Sequence, residues 1–153
     1  MGITIIKAEL THLPDCCMAL ENSELGRVYF SAKESAARVI EEGISKGELF
    51  VAVDEDSRCL GFIWVVVKGA FHSFPYLHII AVKEEHRSKG VGKMLLNYFE
   101  NTIADHSTKL FLVVADFNPK AMKLYQSLGY KEIGVLPDLY REGVHEHLMM
   151  KTL

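Results

Sequence analysis

The sequence predicts an α/β (α+β) fold of about seven strands in a single domain spanning residues 1–153. Three observations predict it. Short β-branched runs such as Phe62–Val67, Leu77–Val82 and Lys109–Ala115 read as strands. Helical spacing of apolar residues recurs between them, most clearly at Val91, Met94, Leu95, Tyr98, Phe99, Thr102 and Ile103. A strand at Leu77–Val82 runs through a charged link into Arg87-Ser88-Lys89-Gly90-Val91-Gly92 and directly into that helix. A chain of 153 residues that is 49% hydrophobic has enough apolar material for one core.

Taken in order, Ile3–Ala8 alternates as a first strand. Thr11 is placed to cap the next element, and Pro14 suits the first turn of a short helix carrying Cys17, Met18 and Leu20. Glu24–Ser31 has weak periodicity and reads as a loop or broken helix. Ser31 with Glu34 three residues on predicts a capping box, opening a helix that Gly43 or Gly47 ends. Glu48–Val53 and Cys59–Lys68 read as strands around the polar hairpin loop Asp54–Arg58, with Gly61 a bulge or close-packing point. Gly69–Pro75 turns into the central strand. After Lys109–Ala115, Asn118-Pro119 caps and opens a helix with Ala121, Leu124, Tyr125 and Leu128 on one face, and Gly129 stops it. Tyr130–Leu136 and Val144–Thr152 are two last strands, joined by a loop over Pro137–Gly143.

The strand–glycine–helix junction is where chemistry concentrates. A helix N-terminus offers free N–H groups and partial positive charge, and glycine lets a phosphate approach the backbone. Arg87, Lys89 and Lys93 add cationic charge there, so a pyrophosphate suits the loop. A dinucleotide fingerprint would need a third glycine where Leu95 stands. A P-loop would need Ser or Thr where Met94 follows Gly92-Lys93. What remains is Arg-x-x-Gly-x-Gly after a strand ending in Ala-Val. It resembles the acetyl-CoA signature of the GNAT superfamily of N-acetyltransferases. Downstream, Asn118-Pro119-Lys120-Ala121-Met122-Lys123-Leu124-Tyr125 through Gly129-Tyr130 is similar to a second segment of that family. The resemblance covers Leu49 to the C-terminus.

The resemblance implies a mixed, mostly antiparallel sheet with helices on both faces, in which strands four and five splay to admit the pantetheine arm of acetyl-CoA. It implies main-chain contacts from Ile80, Ala81 and Val82 to the pantetheine and acetyl group. It also implies a pyrophosphate seat at Arg87, Ser88, Lys89, Gly90, Val91, Gly92 and Lys93, and cofactor contacts from Asn118 and Tyr125. Tyr125 occupies the family's general-acid position, and a phenol can protonate a departing thiolate. Periodicity alone reads Tyr125 as core. The family often places a glutamate base on the fourth strand. Here that neighbourhood is Tyr76-Leu77-His78-Ile79, so His78 is the substitute, with Glu48, His72, Asp138 or a water chain as fallbacks.

The expected activity is direct acetyl transfer from acetyl-CoA to a primary amine. A small-molecule acceptor is favoured, with Phe71, Phe74 and Tyr140 near it; a protein N-terminus or lysine is the alternative. A non-catalytic acyl-CoA sensor is the alternative of another class, kept open by the missing strand-four glutamate. His145 and His147 share a strand face, but no third ligand has matching spacing, so no metal is expected. A net charge of −3 argues against nucleic acid, and no apolar run approaches the ~20 residues of a membrane span. The N-terminus lacks signal-peptide features, and Cys16, Cys17 and Cys59 form no CxxC pair. Both fit a cytoplasmic protein. A homodimer is compatible with the resemblance, and no residue fixes it.

Overall fold

The structure is a computed structural model that describes residues 2–153. Its strands form one seven-stranded sheet in the order β1-β2-β3-β4-β5-β7-β6. The chain divides into two compact units.

The first unit runs to Val65 and takes in Ile79–Ile103. Here β1 (Thr4–Lys7) pairs antiparallel with β2 (Leu49–Val53), and β2 with β3 (Cys59–Ala70). Helices α1 (Leu13–Glu21), α2 (Glu24–Tyr29), α3 (Ser35–Ser45) and α4 (Val91–Tyr98) belong to it. Leu20, Ile40, Leu49, Phe62, Ile63, Leu95, Leu96 and Phe99 are fully buried in it. Gly61 is a close-packing point: a Cβ there would stand 2.7 Å from the Ala81 carbonyl oxygen and 2.9 Å from Val82 Cα. The later half of β4 (Phe74–Val82) therefore lies directly against β3.

The second unit comprises Val66–His78 and Ala104–Leu153. Its β5 (Lys109–Ala115) pairs antiparallel with β7 (Val144–Thr152), and β7 with β6 (Lys131–Arg141). The start of β4 pairs parallel with β5 through Tyr76↔Phe111 and Leu77↔Leu112. Helix α5 (Pro119–Ser127) follows β5; the Asn118 side chain accepts a bond from the Ala121 amide at 3.3 Å, and Gly129 leaves the helix at φ +98°. The mixed, mostly antiparallel seven-stranded sheet with helices is the architecture expected. No helix among the described residues is long and apolar enough to cross a membrane.

Several local expectations need correction. Glu24–Tyr29 takes the helical branch of the loop-or-broken-helix expectation, with Ser23 capping it by accepting from the Gly26 amide at 3.0 Å. The capping box at Ser31 does not form. Glu34 is the cap residue itself, at φ +65°, and α3 starts at Ser35. Thr11 is inside a short 3₁₀ turn, Leu10–His12, closed by Glu9 and His12. Pro137–Arg141 is not a loop: β6 continues through it with a register irregularity between Leu136 and Arg141, and the hairpin turns at Glu142-Gly143. An irregular edge strand tolerates a proline that a regular central strand would not.

Candidate active site

In the first unit, β4 ends at Val82 and the chain passes through a short turn, Glu84–His86, into α4. Ser88 (φ +66°) and Gly90 (φ +85°) both take the left-handed conformation, and Gly90 is the residue before the first helical turn. Left-handed backbone strongly favours glycine at 90, whereas a Cβ there would meet nothing within 4 Å. Gly92 differs. It sits inside the first turn of α4 with no positive φ, and a Cβ would meet only Val82 Cγ2 at 3.9 Å. The chain's own geometry does not call for glycine at 92, and a residue without a side chain leaves the N-terminal turn of α4 open to an anion.

Arg87 is partly occupied by its own chain. Its Nε donates to the Val82 carbonyl at 3.1 Å, and a terminal guanidinium nitrogen donates to the Asn22 carbonyl at 2.8 Å. Arg87 thus ties the loop to the C-terminal end of α1. Lys83 does similar work by bonding Asp15 at the start of α1. Lys89 and Lys93 remain exposed. Lys89, His86 and Asp54 border a hollow of about 430 Å³ with Ile3, Leu60 and Val91.

In the second unit, Tyr125 lies in α5, 8% exposed, with its ring 5.8 Å from that of Tyr130 in an edge-on arrangement. Burial pushes its phenol well above the usual tyrosine range. The strand registers then sort the sheet's two faces. Tyr76 faces Phe111; Phe111 and Ala115 share a face; Ala115 faces Glu146. Gly129 and Tyr130 lie against Lys151, on the other face, since Lys151 pairs with Leu110. His78 is exposed beside Tyr76, their ring centroids 6.2 Å apart, and the two alternate onto one face. Phe71 and Phe74 both pack on Phe111, at 5.3 and 5.6 Å between centroids.

The fallback bases have other engagements. Glu48 accepts the Trp64 indole N–H at 3.0 Å, and Asp138 accepts the Gly143 amide at 2.6 Å inside the hairpin. His72 is exposed in the β3–β4 turn at φ +57°. His147 Nδ1 lies 2.5 Å from Glu132 and His145 Nδ1 lies 4.0 Å from Asp138. Among the described residues no three metal-ligating side chains gather. Cys16 and Cys59 are buried and share a thiol hydrogen bond, and all three cysteines are free.

Two residues escaped the sequence reading: Tyr76 and Glu146. Burial pushes the Tyr76 phenol up, reinforced by a hydrogen bond with Tyr140 and by the Glu146 charge. The signal for Glu146 was present. The parity that put His145 and His147 on one face puts Glu146 on the other, with Val144, Leu148 and Met150.

The model of the acetyltransferase (GNAT) family matches residues 14–130. The chain belongs to the GNAT acetyltransferase family. Among relatives of this GNAT chain, the N-alpha-acetyltransferase of Saccharolobus solfataricus is 30% identical over 115 residues, 68% of either chain. That of Sulfurisphaera tokodaii is 29% identical over 115 residues, covering 68% of this chain and 69% of the relative. A solved aminoglycoside 6′-N-acetyltransferase complexed with coenzyme A superposes with a TM-score of 0.76 at 22% identity, over 97% of this chain and 96% of that one. It shares the fold.

Proposed function

We propose that this GNAT chain is an acetyl-CoA-dependent N-acetyltransferase, a single catalytic domain, whose acceptor is the α-amine of a peptide or protein. Gly92 carries the cofactor part of this reading, because its glycine is explained by a phosphate and by nothing in the chain. The archaeal relatives named N-alpha-acetyltransferase support the acceptor class. The free thiols fit a reducing cytoplasm.

In the mechanism, backbone N–H groups of Gly90–Lys93, with Lys89 and Lys93, hold the pyrophosphate, and Asn118 contacts the cofactor arm. Main-chain groups of Ile80–Val82 hold the pantetheine and acetyl carbonyl, and an N–H among them stabilises the oxyanion. His78 takes one proton from the acceptor ammonium. The neutral amine attacks the thioester carbonyl, and the C–S bond breaks as Tyr125 gives its proton to the thiolate. The nitrogen's second proton replaces the one Tyr125 gave. The products are the amide and free CoA thiol, and His78 returns its proton to solvent.

The acceptor class is tested with two peptides of one sequence that contains an internal lysine, one with a free and one with a blocked N-terminus. Mass spectrometry should show acetyl on the free α-amine only. Modification of the blocked peptide at lysine, or of spermidine and not peptide, would replace the α-amine with an alkylamine acceptor.

A further inference from the structure

The turn between β3 and β4 is built against the preferences of its own residues. The Ser73 amide donates to the Ala70 carbonyl at 3.0 Å, closing a two-residue turn over Phe71 and His72. Both take left-handed backbone, at φ +55° and +57°. Such a turn favours Asn and Gly, and a bulky aromatic in it costs stability. Phe71 nonetheless stands there, 67% exposed. Strain at an exposed position marks a side chain kept for something other than stability. Phe71 also ends a row. Phe74, Tyr76 and His78 alternate onto one face of β4; the first two are half-buried and His78 is exposed, whereas Pro75 and Leu77 between them are buried. Phe111, opposite Tyr76, packs against both Phe71 and Phe74, at 5.3 and 5.6 Å between centroids. The face is thus an aromatic strip that begins at His78 and ends at Phe71. Its outer end is cationic. Lys109 Nζ sits 6.0 Å over the Phe74 ring, and Lys131 lies two strands from Phe111 through the register Phe111–Met150–Lys131. Arg141 and the buried Glu146 share this face at its other end, opposite Val144 and Ala115.

We infer that Phe71 is a specificity-determining residue: it receives an apolar side chain about four residues into the acceptor peptide whose α-amine meets His78. The inference rests on the peptide-acetylating reading above. The strand from His78 back to Phe74 spans about 13 Å, and an extended peptide covers that length in about four residues. A side chain reaching the outer end meets the exposed Phe71 ring, whose edge-on contact with Phe111 fixes its place. An apolar side chain laid on that ring removes apolar area of both partners from water. A basic side chain is disfavoured there, because Lys109 and Lys131 repel it. Phe71 takes no part in the chemistry in this scheme. It acts on which acceptor is held.

The test is equilibrium binding to the full chain, in the presence of coenzyme A, of free-α-amine peptides that differ only at the fourth residue. The wild-type protein should bind the leucine form about fivefold more tightly than the serine form, and the serine form more tightly than the lysine form. Phe71→Asn should bring the leucine form to the level of the serine form and leave the serine–lysine difference in place. Asn suits left-handed backbone, so a denaturation curve should show this variant no less stable than the wild type, which separates lost selectivity from a lost fold. Phe71→Leu should keep part of the leucine preference. A leucine preference unchanged in Phe71→Asn would overturn the inference, as would a wild type that binds the leucine and serine forms alike, or binds neither. These are binding readouts. A protein that prefers the leucine form yet transfers acetyl to no peptide would count against the proposed function and leave the role of Phe71 standing.

Discussion

Tyr125 shows what a single side chain contributes and what it hides. Its place with Leu124 and Leu128 on a helix reads as core, and its burial agrees with that reading. The same burial raises the phenol's pKa and so makes it a weaker acid; the proposed role therefore rests on its hydroxyl hydrogen-bonding to the departing thiolate as the C–S bond breaks. Tyr125→Phe keeps the ring packed on Tyr130 and removes only the hydroxyl. It should lower kcat at least tenfold, about 1.4 kcal/mol of barrier, and leave acetyl-CoA affinity within about twofold, measured by steady-state kinetics and calorimetry. His78 makes the complementary prediction. In the proposed mechanism its exposed imidazole is the base. His78→Ala should remove the acidic limb of the pH–rate profile; an unchanged profile would exclude it as base. Glu146 was less legible than either, because a strand's alternation tells which face a residue takes and not what the opposing strands bring to it.

At the scale of elements, the strand–turn–helix junction was legible almost completely. Its residue types, spacing and order all follow from the needs of a helix N-terminus, so local sequence suffices. The two glycines now separate by physics. Gly90→Ala forces a Cβ into left-handed backbone and should destabilise the fold by about 1 kcal/mol. Gly92→Ala places a better helix former in a first turn with room for it, and should stabilise the fold slightly. Yet Gly92→Ala should weaken acetyl-CoA binding several-fold, read by calorimetry beside a denaturation curve. The elements left open or misread were those set by tertiary context. The helix at Glu24–Tyr29 is only 6 residues long, too short for periodicity to register, and was betrayed only by its Ser23 cap. The extension of β6 past Pro137 depends on the neighbouring strand β7, which no local rule sees.

Across the whole molecule, the strand content was legible, because each run of β-branched residues became a strand. Pairing order was not: that β7 lies between β5 and β6 is a property of the folded chain, and periodicity carries no trace of it. The family match spans residues 14–130, so both compact units contribute to it. The acceptor is the property least written in local sequence. The most direct test of the central claim is acetyl-CoA-dependent thiol release, run with free-N-terminus peptides against a no-acceptor blank, for the wild type and Tyr125→Phe in parallel. We predict release that requires the peptide and falls at least tenfold in the variant. Clear acetyl-CoA binding with no acceptor-dependent release from any peptide or amine would contradict the claim and leave an acyl-CoA-binding module.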